Sequence, residues 1–143
     1  MSLRGAIVVD ANVAVKWYLP EGGEDAAMEV LEAGAGGEAT LIAPDLILPE
    51  VGNVFWLRHR RGYISRERVL EAWESFQGAG ISLMESGGLM SFALEIALGT
   101  GCAVYDALYV ALAEAEDARL VTADRKLVRT LEGTAFGGSV AQL

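Results

Sequence analysis

Short apolar blocks recur along the chain, and the first of them is the β-branched run Ile7–Val9. Such a run is typical of a strand that is buried on both faces at the centre of a parallel sheet. Comparable segments at 40–43, 81–84 and 119–122 predict three further strands. The stretch 136–140 predicts a fifth strand at an edge of the sheet.

Between the predicted strands, apolar residues return every three or four positions, which is the spacing of amphipathic helices. The segment after the first strand is expected to close at Pro20, and Gly34, Gly36 and Gly37 are expected to end the first long helix. The last long helix is apolar nearly all round and should be buried. The predicted helices span 24–33, 49–61, 66–77, 89–98 and 105–116, with a short one around 127–131. This alternation predicts a single α/β domain, 1–143, with a mainly parallel sheet.

Length and composition fit one folded domain, since the chain has 143 residues and 52% of them are hydrophobic. No apolar run approaches the roughly 18 residues of a membrane span, and the short run after Arg4 does not resemble a signal peptide. The single cysteine, Cys102, allows no internal disulfide and fits a reducing compartment. With His59 as the only histidine, a typical zinc enzyme is not expected. We therefore expect a cytoplasmic protein without a membrane segment.

Four acidic residues lie at junctions of the predicted elements. Asp10 and Asp124 follow the first and fourth strands, whereas Glu50 and Asp106 open helices. If the strands are parallel, all four lie at the carboxyl edge of the sheet, where open α/β folds gather ligands. Each acid alone also has an ordinary structural role, as a helix cap, a turn residue or a partner of the helix dipole.

Together, these acids indicate a cation site. Several anions in one cleft repel one another unless a cation compensates their charge. Because no histidine or cysteine cluster accompanies them, oxygen-only ligation indicates Mg²⁺ or Mn²⁺. Thr122 and Asn12, two positions from Asp124 and Asp10, are candidates to position a water or a phosphate oxygen. The alternative for Thr122 is an ordinary β-branched strand residue, and the alternative for Asn12 is a local cap.

Other catalytic chemistries lack their parts in this sequence. There is no G-x-x-x-x-G-K-[ST] loop, no G-x-G-x-x-G after the first strand and no G-x-S-x-G elbow. A Ser–His–Asp triad would need His59. Metal-assisted hydrolysis or phosphoryl chemistry is what remains.

Four sequence blocks occur in a recognisable order. They are I-V-V-D-A-N-V at 7–13, L-P-E-V-G-N-V-F at 48–55, Y-D-A-L-Y-V-A-L-A at 105–113 and L-V-T-A-D-R-K-L at 120–127. No one block is specific, but together they resemble the PIN-domain family, and more narrowly its VapC-type toxin ribonucleases. The resemblance implies a three-layer α/β/α Rossmann-like sandwich with a sheet in 3-2-1-4-5 order.

The resemblance also implies an endoribonuclease that depends on Mg²⁺ or Mn²⁺, with the four acids at the catalytic, metal-binding positions. Thr122 matches a hydroxyl-bearing residue before the last acid, and Asn53 matches a polar neighbour of the glutamate. The main departure is Ala11, where many members have serine or threonine. Two-metal logic then predicts in-line attack by water, which leaves 5′-phosphate and 3′-hydroxyl ends.

The partners implied by the resemblance are an RNA substrate, a second copy of the chain and a small antitoxin protein. A net charge of −9 argues against a polyanionic partner, but nine of the eleven basic residues lie in 58–68 and 119–129. Arg58, Arg60 and Arg61 follow Glu50 along the predicted helix and are candidates to hold RNA phosphates without reading sequence. The alternative is a solvated helix face.

Three competing interpretations stay open at this point. A haloacid-dehalogenase-like phosphatase needs a second acid two residues after the first, and that position is Asn12. A response-regulator receiver needs a phospho-accepting aspartate at the end of the third strand, where this chain has Glu85. An inactive PIN scaffold that binds RNA or a protein partner is the third.

Overall fold

The computed structural model describes residues 3–19 and 22–143. The strands in these ranges are β1 (Gly5–Val9), β2 (Ala39–Pro44), β3 (Ser82–Met84), β4 (Arg119–Thr122) and β5 (Val140–Gln142). The helices are α1 (Ala11–Lys16), α2 (Glu24–Ala35), α3 (Ile47–Arg60), α4 (Arg66–Gln77), α5 (Met90–Thr100), α6 (Val104–Ala115) and α7 (Arg125–Leu131). Short 3-10 turns span Gly87–Leu89 and Gly137–Ser139.

The strands form one sheet in the order β3-β2-β1-β4-β5, and all four neighbouring pairs are parallel. β1 is central because its three β-branched residues need cover on both faces, and each is at most 2% exposed. Ile7 pairs with Leu41 of β2, and Val9 pairs with Val121 of β4. The predicted three-layer sandwich with strand order 3-2-1-4-5 is confirmed.

The helices form two packed groups. α1 packs against α2 and α3, and α3 packs against α4, whereas α5 packs against α6. α6 also contacts β1, β2 and β4, and every residue from Ala107 to Ala113 is buried. The apolar character of this helix all round is therefore explained by its burial against the sheet and α5, as the sequence pattern indicates.

The predicted glycine cluster ends α2, whose C-cap is Gly36, but Gly34 itself lies one residue inside the helix. α2 continues through Ala35, and a Cβ at Gly34 would lie only 2.6 Å from Cδ1 of Leu41 on β2. The missing side chain therefore allows close packing of the helix on the strand. The glycine cluster thus ends the helix at Gly36 and Gly37, the latter with a φ of +81°, whereas Gly34 serves close packing.

Other boundaries shift by a few residues. α3 begins at Ile47, so Pro49 lies within its first turn rather than at its start. The edge strand is Val140–Gln142 rather than 136–140, because Phe136 packs against Phe92 with ring centroids 6.2 Å apart and a 3-10 turn follows. Pro20 lies outside the described residues, and α1 itself ends at Lys16.

In the described part of the chain, no single helix has both the length and the apolar composition needed to cross a membrane. The segments Gly87–Thr100 and Val104–Ala115 meet both requirements only when taken together, and they are bent by 114° at the break between them.

Candidate metal centre

Asp10 lies where β1 ends, at the N-cap position of α1, and its side chain is only 7% exposed. The carboxylate makes no capping hydrogen bond to α1. Instead, its Oδ2 accepts a hydrogen bond of 2.8 Å from the hydroxyl of Thr122, which follows from the parallel pairing of β1 with β4. The backbone N–H of Asn12, in the first turn of α1, contributes only the weakest of the influences on the pKa of Asp10, so helix capping is not the main role of this acid.

Thr122 is fully buried and connects the ends of β1 and β4. Its hydroxyl gives its single hydrogen to Asp10 and accepts from Nδ2 of Asn12 at 3.2 Å and from the backbone N–H of Asp124 at 3.1 Å. The amide oxygen of Asn12 in turn accepts from the backbone N–H of Ala123 at 3.0 Å. Thr122 and Asn12 thus fix the position of Asp10 and of the loop that carries Asp124.

Asp124 combines a structural role with its place at the same edge. Its Oδ1 accepts from the backbone N–H groups of Lys126 and Leu127, at 2.9 and 3.2 Å, and so caps α7. The capping interpretation is therefore correct for one oxygen of this carboxylate. The capping bonds leave the second oxygen, Oδ2, available to a ligand.

Glu50 lies in the first turn of α3, and its position is set by a residue that the sequence argument did not single out. The buried Tyr109 donates a hydrogen bond of 2.6 Å from its hydroxyl to Oε1 of Glu50. Tyr109 follows Asp106 by three positions in α6, so both lie on one helix face. That spacing was the available signal, but an apolar helix gives no reason to expect a polar contact.

The acids influence one another electrostatically. Burial raises the pKa of Asp10 to about 7, and the charges of Asp106 and Glu50 add to the rise while the Thr122 hydrogen bond opposes it. Burial also raises the pKa of Glu50, with Asp106 adding to it and Tyr109 opposing it. Desolvation, and then the charge of Asp124, raise the pKa of Asp106. The structure therefore brings the four predicted acids within electrostatic range.

Lys126 is a cation in the neighbourhood of this cluster, and its charge lowers the pKa of Asp106. The same lysine is not among the groups that perturb Asp10 or Glu50. Among the described residues, the negative charge of these acids is therefore only partly compensated by a cation.

The donor chemistry of the cluster fits a hard divalent cation, because every candidate donor is oxygen. Within residues 3–19 and 22–143, no group of three or more histidine, cysteine, aspartate or glutamate side chains is placed to hold a metal ion together. Mg²⁺ does not require such a group, since proteins usually hold it through one or two carboxylates while it keeps several waters. The residues present therefore fit an open, partly hydrated site.

A basic cavity adjoins the acidic cluster. It has a volume of about 410 Å³, and its polar lining includes Asn12, Lys16, Arg58 and Arg61. The Lys16 ammonium donates one hydrogen bond, of 2.7 Å, to the carbonyl of Gly22, which leaves two of its three donors for other partners. Two of the three predicted arginines thus line a cavity that also reaches Asn12 and Ala123, the neighbours of Thr122 and Asp124.

Arg60, the third predicted arginine, is placed differently. Its guanidinium lies 5.6 Å from the ring centroid of Trp56, in a cation–π contact, and it does not line the basic cavity. Because successive helical residues point about 100° apart, Arg60 cannot share the face of both of its predicted companions. Asn53, by contrast, lies three residues after Glu50 and lines a second cavity with it.

Comparison with known proteins agrees with this architecture. The PIN domain family model matches residues 7–132. Ribonuclease VapC3 from Pyrobaculum aerophilum is 34% identical over 125 residues, which cover 85% of this chain and 91% of that protein.

Solved structures share the fold. The crystal structure of PAE2754 from Pyrobaculum aerophilum has a TM-score of 0.69 at 22% identity, over 90% of this chain and 81% of that one. VapBC2 from Rickettsia felis, bound to a DNA fragment from its promoter, has a TM-score of 0.65 at 17% identity, over 96% of this chain and 98% of that one. A toxin–antitoxin complex from Klebsiella pneumoniae has a TM-score of 0.59 at 13% identity, over 94% of this chain and 95% of that one. On its sequence match and its fold, the chain belongs to the PIN-domain family, and it resembles the VapC ribonucleases.

Proposed function

We propose that this chain is an endoribonuclease that depends on Mg²⁺ or Mn²⁺ and serves as the toxin of a toxin–antitoxin pair. The observation that carries the proposal is the buried carboxylate of Asp10 at the carboxyl end of the central strand. The nearby charges of Asp106 and Glu50 raise its pKa further. Similarity to Ribonuclease VapC3 supports the nuclease class. The toxin–antitoxin complexes of similar fold are the reason to include an antitoxin partner.

The cation would be held by oxygens of Asp10, Glu50, Asp106 and Asp124. A bound divalent cation supplies a water of lowered pKa and neutralises negative charge on a phosphodiester. The protein's own part is to hold the carboxylates still: Thr122 fixes Asp10, and Tyr109 fixes Glu50. Partners of this kind orient metal ligands in many metalloenzymes.

The basic cavity gives the RNA backbone a place beside the acids. Lys16, Arg58 and Arg61 present positive charge to phosphates on the side of the cluster lined by Asn12 and Ala123. Such contacts position a nucleic acid without reading its sequence. Arg60 is left out of this role because of its contact with Trp56. A cytoplasmic homodimer completes the proposal, by analogy with the family.

The experiment compares RNA cleavage by the unaltered chain, by Asp10→Asn and by Asp25→Asn. Structured RNAs are incubated with Mn²⁺ or with EDTA, and the product ends are mapped. We expect cleavage with 5′-phosphate ends by the unaltered chain and by Asp25→Asn, because Asp25 is an exposed acid of α2. Asp10→Asn and the EDTA sample should show none.

Two outcomes would count against the proposal. Cleavage that survives in EDTA or in Asp10→Asn would exclude the metal–carboxylate mechanism. An unaltered chain that binds RNA but never cuts it, with either cation, would favour the inactive scaffold.

A further inference from the structure

A second cavity opens on the side of Glu50 that faces α6. It has a volume of about 510 Å³ and is lined by Leu46, Pro49, Glu50, Asn53 and Tyr105. We call it the Tyr105 cavity. Because Glu50 forms part of its wall and Asp106 directly follows Tyr105, the cavity adjoins the acidic cluster. Its volume is within the range of small-molecule sites, which is about 300–1,000 Å³.

The aromatic side chain in this cavity is largely accessible to solvent. Tyr105 is 65% exposed although it is a large, partly apolar residue. In the described part of the chain, neither its hydroxyl nor the amide of Asn53 makes a side-chain hydrogen bond. The ring face and the amide are therefore both available to a ligand.

The lining favours an uncharged group over a phosphate as the occupant. Among the described residues, no basic side chain lines the Tyr105 cavity, so nothing there pairs with a phosphate as the arginines of the basic cavity can. Phosphates belong instead in the basic cavity, which contains Lys16, Arg58 and Arg61. The two cavities adjoin the acidic cluster through different residues, Glu50 for one and Asn12 with Ala123 for the other.

A flat ring with polar edges matches the lining of the Tyr105 cavity. The Tyr105 ring gives a stacking surface, and Leu46 and Pro49 give apolar contact. The Asn53 amide carries both donors and an acceptor, so it can pair with the edge of a base. A neutral nucleobase satisfies all three kinds of contact, and it must be unpaired for its edge and face to be reached.

We propose that the Tyr105 cavity binds one unpaired nucleobase of the RNA next to the cleaved phosphodiester. Tyr105 stacks on the base and Asn53 hydrogen-bonds to its edge, which makes this pair of residues a determinant of specificity. The assignment rests on the proposed function, since it takes RNA as the ligand. It predicts a base preference at one nucleotide position beside the cut.

The test measures binding of short single-stranded oligoribonucleotides in Mg²⁺, in an Asp10→Asn background that should not cut them. Tyr105→Ala should weaken binding roughly 5- to 150-fold, the range expected for loss of one aromatic–base stack. Tyr105→Phe should bind like the parent because it keeps the ring. Tyr63→Ala, at another exposed tyrosine that does not line the cavity, is the matched control and should also leave binding unchanged.

A set of oligoribonucleotides with one abasic position each then locates the base. The parent protein should bind more weakly when the abasic site occupies one particular position. Tyr105→Ala should bind this abasic RNA as well as it binds the intact RNA, because it has already lost the stacking contact. Asn53→Ala should flatten the preference among the four bases at that position. Melting curves of all variants should coincide with the parent, because both side chains are exposed.

The assignment is overturned if Tyr105→Ala binds like Tyr63→Ala, or if the abasic penalty persists in Tyr105→Ala. It is also overturned if the parent binds no RNA. A chain that binds through Tyr105 but cuts no RNA in the cleavage assay would refute the proposed nuclease and still support the base site. The two proposals therefore fail through different measurements.

Discussion

Replacement of Asp10 by asparagine should stabilise the protein at neutral pH while removing the proposed activity. The physical reason is the buried carboxylate, whose pKa of about 7 lies about three units above the ordinary value of 3.8. One unit corresponds to about 1.36 kcal/mol, so the ionised group lowers the free energy of unfolding by on the order of 4 kcal/mol. That is a large share of the roughly 5–15 kcal/mol that folded domains have.

The sign of the pH dependence follows from the raised pKa. Below about pH 4, Asp10 is protonated in both states and carries no penalty. Between about pH 4 and pH 7, the unfolded chain loses the proton and the folded chain keeps it, so stability falls as the pH rises. Above about pH 7 both states are ionised, and the penalty of Asp10 stays at its full value.

The assay is urea unfolding in EDTA from about pH 4 to about pH 8, with Asp10→Asn compared with the unaltered chain. The variant's advantage should grow by on the order of 4 kcal/mol across this range, whatever constant offset arises from its altered contact with Thr122. Asp25→Asn, at an exposed acid, should show no such growth. If the free energies of unfolding of Asp10→Asn and of the unaltered chain changed in parallel with pH, the argument that burial raises the pKa of this carboxylate would be refuted.

Two further substitutions test the groups that hold the acids. Thr122→Val keeps the shape of a fully buried side chain but leaves Asp10 without its donor, so it should lower the free energy of unfolding by about 1–3 kcal/mol in urea titrations. A loss no larger than that of Thr130→Val, on the outer part of α7, would contradict this. Tyr109→Phe removes the hydrogen bond to Glu50 and should weaken Mn²⁺ binding roughly 10- to 100-fold in calorimetric titrations. Unchanged Mn²⁺ affinity would show that the tyrosine only fills space.

The sequence alone was sufficient to predict the fold and to place the acidic residues at one edge of the sheet. The β-branched run Ile7–Val9 has to be buried on both faces, and strands alternating with helices leave few arrangements other than a parallel sheet. Parallel strands end at one edge, which is why Asp10 and Asp124 could be placed together without coordinates. Local spacing carried all of this information.

The tertiary structure decided how the acids are held. Thr122 donates to Asp10 across 112 positions of sequence, and Tyr109 donates to Glu50 across 59. No local pattern encodes such contacts, because they depend on which residues the strand register and helix packing bring face to face. The same applies to Gly34, which ends no helix and instead allows α2 to approach Leu41.

The two cavities that adjoin the acidic cluster are likewise a product of packing. Arg58, Arg60 and Arg61 look equivalent in sequence, yet two line the basic cavity and Arg60 contacts Trp56. Nothing in the sequence distinguishes Tyr105 from the other residues of its apolar helix. It lies beside Glu50 only because α3 and α6 approach each other in the folded chain. The sequence determines which groups carry charge and which must be buried, because those properties are local. The tertiary structure determines which of them meet, because contact requires the whole chain to fold.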